Sequence, residues 1–201
     1  MRNVTTLVMI GLLAACKPAA DKAPVDADPV APAVPEAKAD GPNAATTAIS
    51  LDGEGLRFID KNNGKTSLLA FGVPRAQAEE ALARVAGTLD DRSTNEECGA
   101  GTMEFTRYDA MTLNFQDGKF VGWFLGNEPG ADLYSTMSGI AIGTTRAKAA
   151  ESVKLVAIKD STLGEEFTLG EGQDSIGGMF AAPGEAAKID ALFAGMNCFF
   201  R

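Results

Sequence analysis

Apolar and polar side chains alternate in the first two of three consecutive runs in the middle of the chain, the pattern of strands with one buried face. The runs are residues 103–108, 111–116 and 119–126. Asp117-Gly118 stands between the last two and favours the tight turn of a hairpin, because both residue types tolerate positive φ. Three antiparallel strands are therefore predicted.

A helix is predicted immediately before these strands. Apolar side chains recur at helical spacing at Ala78, Leu82 and Val85. Pro74 suits the first turn of a helix, and Gly87 suits its end. The pattern places one helix between Pro74 and Gly87.

The same order of elements occurs a second time. IGTTRAKA at 142–149 repeats the pattern of FGVPRAQA at 71–78, in which an apolar residue and a glycine precede a helix start. A second, weaker helical pattern runs from about Thr145 to Leu155. Strand-like runs then follow at 166–170, 177–185 and 187–195. The sequence therefore predicts a duplicated unit of a helix followed by strands.

The aromatic residues separate a folded domain from the start of the chain. All fourteen lie from Phe58 onward, and a segment without large side chains buries too little apolar area to offset the entropy of ordering it. We expect one domain at 48–201, of class α+β. It would contain two tandem repeats, about 55–126 and about 135–201, each a helix followed by an antiparallel sheet of three or four strands. Together the repeats would form one curved sheet with the helices on one face.

This arrangement resembles two related groups of proteins. One is the small lipoprotein of the outer-membrane barrel-assembly machinery, and the other is the secreted β-lactamase inhibitor protein. The segments 72–78 and 143–149, together with the hairpins, carry the resemblance. It implies one curved sheet whose concave face binds a protein partner.

The first sixteen residues predict export. Arg2 supplies a positive charge, and the apolar stretch at 4–13 is too short to span a membrane as a helix. LAAC at 13–16 resembles the lipobox of bacterial lipoprotein signals. The resemblance implies a signal peptide at 1–15, cleavage before Cys16, and acyl chains on the sulfur and amine of that cysteine. An ordinary secretory signal with an incidental cysteine is the alternative.

Residues 17–46 hold six of the nine prolines, with alanine and scattered charge. This composition favours extended and solvated backbone, so a lipidated Cys16 and a disordered Pro/Ala-rich tether are predicted for 16–47. Lys17 stands where an aspartate in lipoproteins signals retention in the inner membrane, which points to the outer membrane. The domain would then face the periplasm while a lipid anchor holds it on the membrane.

Hairpin register predicts which side chains share a face. With a two-residue turn, Leu113 faces Gly122 and Met111 faces Phe124, so these positions form an apolar face expected in the core. The opposite face carries the only tryptophan and aliphatic neighbours, a combination typical of recognition sites. The candidate partner-binding residues are Trp123, Val121, Leu125 and Leu192. This face is either open to an envelope protein partner or covered by residues 127–137 or by the chain's end.

Cys98 and Cys198 are the only thiols left to pair once Cys16 is acylated. Exported domains with two cysteines most often form a disulfide, which we expect here. A redox-active or catalytic cysteine is the alternative, although the chain has neither histidine nor a Cys-x-x-Cys pair.

Charge and the missing histidine limit the chemistry further. The net charge is −9, which opposes binding to nucleic acid, and no histidine is present to serve as general base or metal ligand. Three pairs of adjacent carboxylates are expected in solvated loops: Asp90-Asp91, Glu96-Glu97 and Glu165-Glu166. No catalytic residue, metal site or cofactor is predicted.

We expect the protein to be a lipid-anchored periplasmic module of the cell envelope with a binding or structural role and without catalytic activity. Its expected partners are the membrane, through the lipid, and an envelope protein, but not nucleic acid. The alternative is an envelope enzyme that acts on wall or lipid material through a site not recognised in the sequence.

Overall fold

The computed structural model describes residues 44–199. These residues form twelve strands and two α-helices, with 43% of residues in strands and 14% in helices. The strands belong to two sheets, one of four strands and one of eight. The predicted class, α+β with two helix–sheet repeats forming one curved sheet, is therefore wrong. The protein is mostly β.

The elements are, in chain order, β1 (Thr47–Asp52), β2 (Gly55–Asp60), β3 (Thr66–Ala70), α1 (Arg75–Ala86), β4 (Asp91–Asn95), β5 (Met103–Tyr108), β6 (Met111–Gln116), β7 (Lys119–Leu125), a 3-10 turn (Ala131–Leu133), β8 (Tyr134–Thr136), α2 (Arg146–Ser152), β9 (Leu155–Ala157), β10 (Glu165–Leu169), β11 (Ile176–Phe180) and β12 (Ile189–Gly195). The predicted signal peptide, Cys16 and most of the predicted tether lie outside the described residues. β1 begins one residue before the predicted start of the domain.

Residues 47–70, to which the sequence analysis assigned no strand, build most of the four-stranded sheet. β1, β2 and β3 form an antiparallel meander, and β8 adds to β1 in parallel, giving the order β3-β2-β1-β8. The prediction of a single sheet failed because it contained no strands at 47–70, and because β8 joins these strands from a distant part of the chain. No local pattern reveals such a long-range parallel pairing.

The eight-stranded sheet is antiparallel, in the order β4-β5-β6-β7-β12-β11-β10-β9. β7 and β12 pair in its middle, where Phe124 lies opposite Phe193. The predicted hairpin of β6 and β7 is confirmed. It turns at Asp117 and Gly118, whose φ angles are 51° and 71°.

Both predicted helices are present, although the second is short. α1 begins after Pro74 and ends before Gly87, as expected. α2 has seven residues, and Thr145 caps its start through a hydrogen bond to its side chain. Leu155, which was expected in this helix, begins β9 instead.

The two similar segments at 71–78 and 142–149 make matching contacts at the starts of α1 and α2. The backbone N–H of Arg75 donates to the oxygen of Gly118, and that of Arg146 donates to the oxygen of Ala187, both at 2.8 Å. Each arginine also lies over a phenylalanine ring. The sequence likeness of these segments thus corresponds to a shared local geometry at the two helix starts.

The hydrophobic core lies between the two sheets and the helices. It contains apolar side chains from both sheets together with Ala78 and Leu82 of α1 and Ala149 of α2. α1 packs against β1 and β7. We call the face of the eight-stranded sheet that meets this core the inner face, and the opposite one the outer face. The small sheet covers part of the inner face, whereas the predicted arrangement placed only helices on that face.

Candidate functional site

The predicted partner-binding residues are not an exposed surface. Trp123, Leu125 and Leu192 are fully buried, and Val121 is half-buried. Nε1 of Trp123 donates a hydrogen bond of 3.0 Å to the backbone oxygen of Asp52, at the end of β1. The small sheet therefore covers Trp123, and the prediction of a binding face around it is wrong.

A β-bulge in β7 is the physical reason. Leu113 lies opposite Trp123 rather than opposite Gly122, because Val121 is an extra residue on this strand. Since successive side chains of a strand point to opposite faces, one extra residue moves all later side chains to the other face. Trp123 therefore lies in the core, and Phe124, which was predicted there, lies on the outer face.

A second bulge has the same effect in β12. Ile189 and Ala191 pair with consecutive residues of β11, so Asp190 is the extra residue. Leu192 therefore lies in the core, although it was expected on the exposed face. The next residue, Phe193, lies on the outer face, opposite Phe124 of β7.

The two bulges bring phenylalanine rings together on the outer face. Phe199, which follows β12, packs edge-on against two of them, with centroid distances of 6.3 Å to Phe124 and 4.7 Å to Phe193. Phe105 of β5 lines the same pocket as Phe124 and Phe199. We call Phe105, Phe124, Phe193 and Phe199 the aromatic cluster.

An open pocket of about 280 Å³ lies beside the aromatic cluster. Its lining residues are Phe105, Thr112, Asn114, Phe124, Asn197, Cys198 and Phe199. Three phenylalanine rings form an apolar wall, while one threonine and two asparagines supply neutral polar atoms. The lining carries no charged side chain, so the pocket suits an apolar group better than it suits acid–base chemistry.

The C-terminal residues 196–199, which we call the strap, form one side of the pocket. The buried Asn114 donates from Nδ2 to the backbone oxygen of Met196 at 2.9 Å and to Oδ1 of Asn197 at 2.8 Å. Asn197 in turn donates from Nδ2 to the backbone oxygen of Ala194 at 3.0 Å. Buried hydrogen bonds of this kind contribute about 1 kcal/mol each, so they hold the strap against β6 and β7.

The structure contains the expected disulfide between Cys98 and Cys198, which joins the strap to the loop after β4. Cys98 is 6% exposed. The bond links residues 100 positions apart, and loop entropy then predicts a stabilisation of up to about 4–5 kcal/mol. This structural role accounts for both cysteines without a catalytic thiol.

Two glycines let the strap approach the neighbouring strand closely. A Cβ on Gly122 would lie 2.1 Å from the backbone oxygen of Met196, and one on Gly195 would lie 2.3 Å from that of Val121. The backbone N–H of Met196 also donates to the oxygen of Val121 at 2.8 Å. A glycine inside a strand indicates a bulge or a close backbone approach. Gly122 is therefore the sequence signal that could have revealed the bulge.

A separate polar cluster surrounds Glu79 on α1. Its Oε1 accepts hydrogen bonds from Arg75 Nε at 2.8 Å and from Thr106 Oγ1 at 2.6 Å. Its Oε2 accepts from Arg92 Nη2 at 2.7 Å. Burial by itself raises the pKa of Glu79, but the hydrogen bonds from Arg92, Thr106 and Arg75 outweigh it and lower the pKa to about 2. The carboxylate is therefore fully engaged in joining α1 to β4 and β5.

Tyr108 extends this cluster. Its hydroxyl donates to the backbone oxygen of Glu79 at 3.1 Å. Burial, followed by the charge of Glu79, raises the pKa of Tyr108 to about 12. The hydrogen bond with Glu79 also raises the pKa of Arg92. Each of these three groups keeps its ordinary charge at neutral pH, which suits a structural role rather than proton transfer.

The adjacent carboxylates do not converge on a metal site. Glu165 pairs with Arg146 through Oε2 and Nη2 at 2.7 Å, and the buried Glu166 accepts from Ser161 Oγ at 2.5 Å. The expectation of solvated loops is wrong for three of these carboxylates, because Glu165 and the buried Glu166 lie in β10 and Asp91 lies in β4. Between residues 44 and 199, no three side chains of metal-ligating type are grouped to hold an ion. In the same part of the chain, no helix is long and apolar enough to cross a membrane.

Comparison with protein-family models, with curated proteins and with solved structures finds no match to this chain. The assignment of the candidate site therefore rests on the geometry of the structure. Sequence reasoning missed most of its lining, because it assigned Phe124 to the core and gave Phe105, Asn197 and Phe199 no role. All four line the pocket on the outer face.

Proposed function

We propose that the protein is a non-enzymatic binding module of the bacterial cell envelope. A lipid on Cys16 would hold it on the outer membrane, and the outer-face pocket would receive an apolar side chain of an envelope protein. The observation that carries this proposal is the pocket of about 280 Å³ beside the aromatic cluster. Aromatic side chains surrounded by neutral polar groups are typical of the buried centre of protein interfaces.

The attachment of the strap supports this function. The wall that contains Phe199 is held by the disulfide at Cys198 and by the hydrogen bonds of Asn114. A wall that is already ordered costs less entropy when a partner binds. The pocket therefore has the pre-organisation expected of a recognition site.

Photo-crosslinking in intact cells tests the binding face. A photoreactive amino acid replaces Thr112, which is half-buried in the pocket lining, in the full lipid-anchored chain. A matched variant carries it at Leu133, which is 52% exposed and does not line the pocket. We expect discrete protein adducts from position 112 alone. The same adducts from both positions would contradict the proposal.

The captured protein then permits affinity measurements with purified components. Phe124→Ala removes one of the three phenylalanine rings that line the pocket, and we expect binding to weaken by about tenfold or more. Leu133→Ala removes an exposed apolar side chain elsewhere and is the matched control. Equal losses for both variants would show that the pocket is not the contact.

The membrane anchor is tested separately. Mass spectrometry of the mature chain should find Cys16 as an acylated N-terminal residue, and Cys16→Ser should move the protein into the soluble periplasmic fraction. An unacylated, secreted chain would refute the anchor. Because the crosslinking does not depend on acylation of Cys16, the two parts of the proposal fail independently.

A further inference from the structure

The edges of the two sheets are protected unequally. Proteins protect sheet edges with charged residues or by keeping edge strands short, since an open edge can pair with another strand. β8 and β9 have three residues each, and β4 carries Asp91 and Arg92. β3 has five residues, TSLLA, and no charge. Among the edges formed by residues 44–199, that of β3 is the least protected.

The backbone of β3 presents hydrogen-bonding groups along this edge. Within the described residues, β3 pairs with β2 on one side and with no strand on the other. The backbone of Lys65 and Phe71 bonds to the β2 side. Backbone groups alternate in direction along a strand, so those of Thr66, Leu68 and Ala70 point away from β2. Leu68 also exposes 37% of its surface.

We propose that β3 pairs antiparallel with β3 of a second copy of this chain, around a two-fold axis at Leu68. The two four-stranded sheets then form one continuous sheet of eight strands. Leu68 lies opposite Leu68 of the second copy, and Thr66 lies opposite Ala70. A contact of this kind uses the same surface on both copies and closes on itself, so it forms a dimer rather than a fibre.

Charges at the two ends of β3 fit a reversed second copy. Lys65 precedes the strand. Glu54 lies beside the end of the strand, where its backbone oxygen accepts a hydrogen bond from the backbone N–H of Phe71 at 2.8 Å. Both Lys65 and Glu54 are exposed. An antiparallel pair brings Lys65 of each copy towards Glu54 of the other. A parallel pair would bring like charges together, which disfavours it.

A groove of about 310 Å³ runs beside β3 and continues onto α1. Phe58, Leu69 and Ala81 form its apolar part. A strand added to β3 would place alternate side chains over this groove. The contact is only one strand long, and a net charge of −9 on each chain opposes association. We therefore expect a weak and reversible dimer.

Sedimentation equilibrium tests the dimer over concentrations that extend to several hundred micromolar. The chain carries Cys16→Ser throughout, so that it stays in solution and cannot form an intermolecular disulfide at that residue. We expect a monomer–dimer equilibrium. Leu68→Lys places like charges opposite each other at the two-fold axis and should weaken association by about tenfold or more. Leu133→Lys makes the same charge change at another exposed leucine and should leave the equilibrium unchanged.

A charge exchange keeps the test valid even if Leu68→Lys folds poorly. Lys65→Glu and Glu54→Lys should each weaken the dimer, and the double variant should restore it, because the pairs form again with reversed sign. A monomer at all concentrations, or a dimer unaffected by Leu68→Lys, would overturn the proposal.

Hydrogen exchange distinguishes pairing of β3 with a second copy from coverage of β3 by another segment of the same chain. The backbone amides of Thr66, Leu68 and Ala70 should become protected as the protein concentration rises. Protection that is independent of concentration would mean that another segment of the same chain covers β3, and it would also overturn the proposal.

Discussion

Glu79→Gln tests the polar cluster that joins α1 to β4 and β5. The substitution removes the negative charge but keeps the size of the side chain. It leaves Arg75 and Arg92 beside each other without the carboxylate that accepts from both. We expect a loss of stability at neutral pH, because a charged hydrogen-bond acceptor is replaced by a neutral one.

The magnitude follows from the pKa of Glu79, which the cluster lowers from 4.5 to about 2. At about 1.4 kcal/mol per pKa unit, this difference corresponds to at most about 3.5 kcal/mol. The Glu79 side chain is 13% exposed, but that of Arg92 is 54% exposed, so solvent screens part of the interaction. We expect Glu79→Gln to lower the free energy of unfolding by about 2 kcal/mol at pH 7.

The same shift predicts the pH dependence. Because the pKa of Glu79 is lower in the folded state, its stabilising effect is fully present above pH 4.5. The effect is lost as the pH falls from 4.5 towards 2, where the carboxylate becomes protonated in the folded protein as well. The difference between wild type and Glu79→Gln should therefore shrink across this range.

Urea unfolding followed by circular dichroism, repeated from pH 7 to about pH 2.5, measures this difference. Glu80→Gln is the matched control, because Glu80 is the next residue of α1 and pairs with Arg84 in solvent. We expect that control to change stability by less than about 0.5 kcal/mol. A difference between wild type and Glu79→Gln that stays constant down to the lowest pH would refute the reasoning.

Four further predictions concern the core, the Glu79 cluster, the strap and the disulfide. Tyr134 is 1% exposed and its hydroxyl finds no hydrogen-bond partner among residues 44–199, so Tyr134→Phe should leave the unfolding free energy unchanged or raise it. Tyr108→Phe removes the bond to α1 and should cost about 1 kcal/mol. Gly122→Ala should cost about 3 kcal/mol in chemical unfolding, because its Cβ would collide with the strap. Replacing Cys98 and Cys198 by alanine should lower stability by up to about 4–5 kcal/mol and increase the binding of an apolar dye to the aromatic cluster.

Each of these predictions can be contradicted by a specific experimental result. A loss for Tyr134→Phe as large as that for Tyr108→Phe would mean that the Tyr134 hydroxyl has a partner. Gly99→Ala is the control for Gly122→Ala, since its Cβ would meet nothing closer than 3.9 Å. Equal losses for the two glycines would contradict the close approach of the strap. Unchanged dye binding without the disulfide would mean that the bond does not hold the strap in place.

Much of the local structure could be predicted from the sequence. Alternation in β6 and the turn at Asp117 and Gly118 were sufficient for the hairpin, because such turns depend on the φ preferences of two residues. Proline and glycine at its ends were sufficient to bound α1. The disulfide was predicted from the number of cysteines together with the expectation that the chain is exported.

The candidate site could not be predicted, because its position depends on contacts between distant parts of the chain. Val121 becomes an extra residue where β7 meets the strap and β12, and this single residue moves Trp123 into the core and Phe124 to the outer face. Trp123, Phe124 and Leu125 are consecutive apolar residues of β7, so the pattern by itself does not say which face of the strand is covered.

The sequence by itself determined the three central strands β5 to β7, the start and end of α1, where the central hairpin turns and which cysteines pair. Those properties depend on backbone preferences of neighbouring residues and on residue type. Only the tertiary structure decided that β8 would join β1 in a second sheet and that this sheet would cover Trp123. It also decided that phenylalanines would meet under the strap. These outcomes depend on long-range pairing and on bulges, whose energies arise from packing between segments that are far apart in the chain.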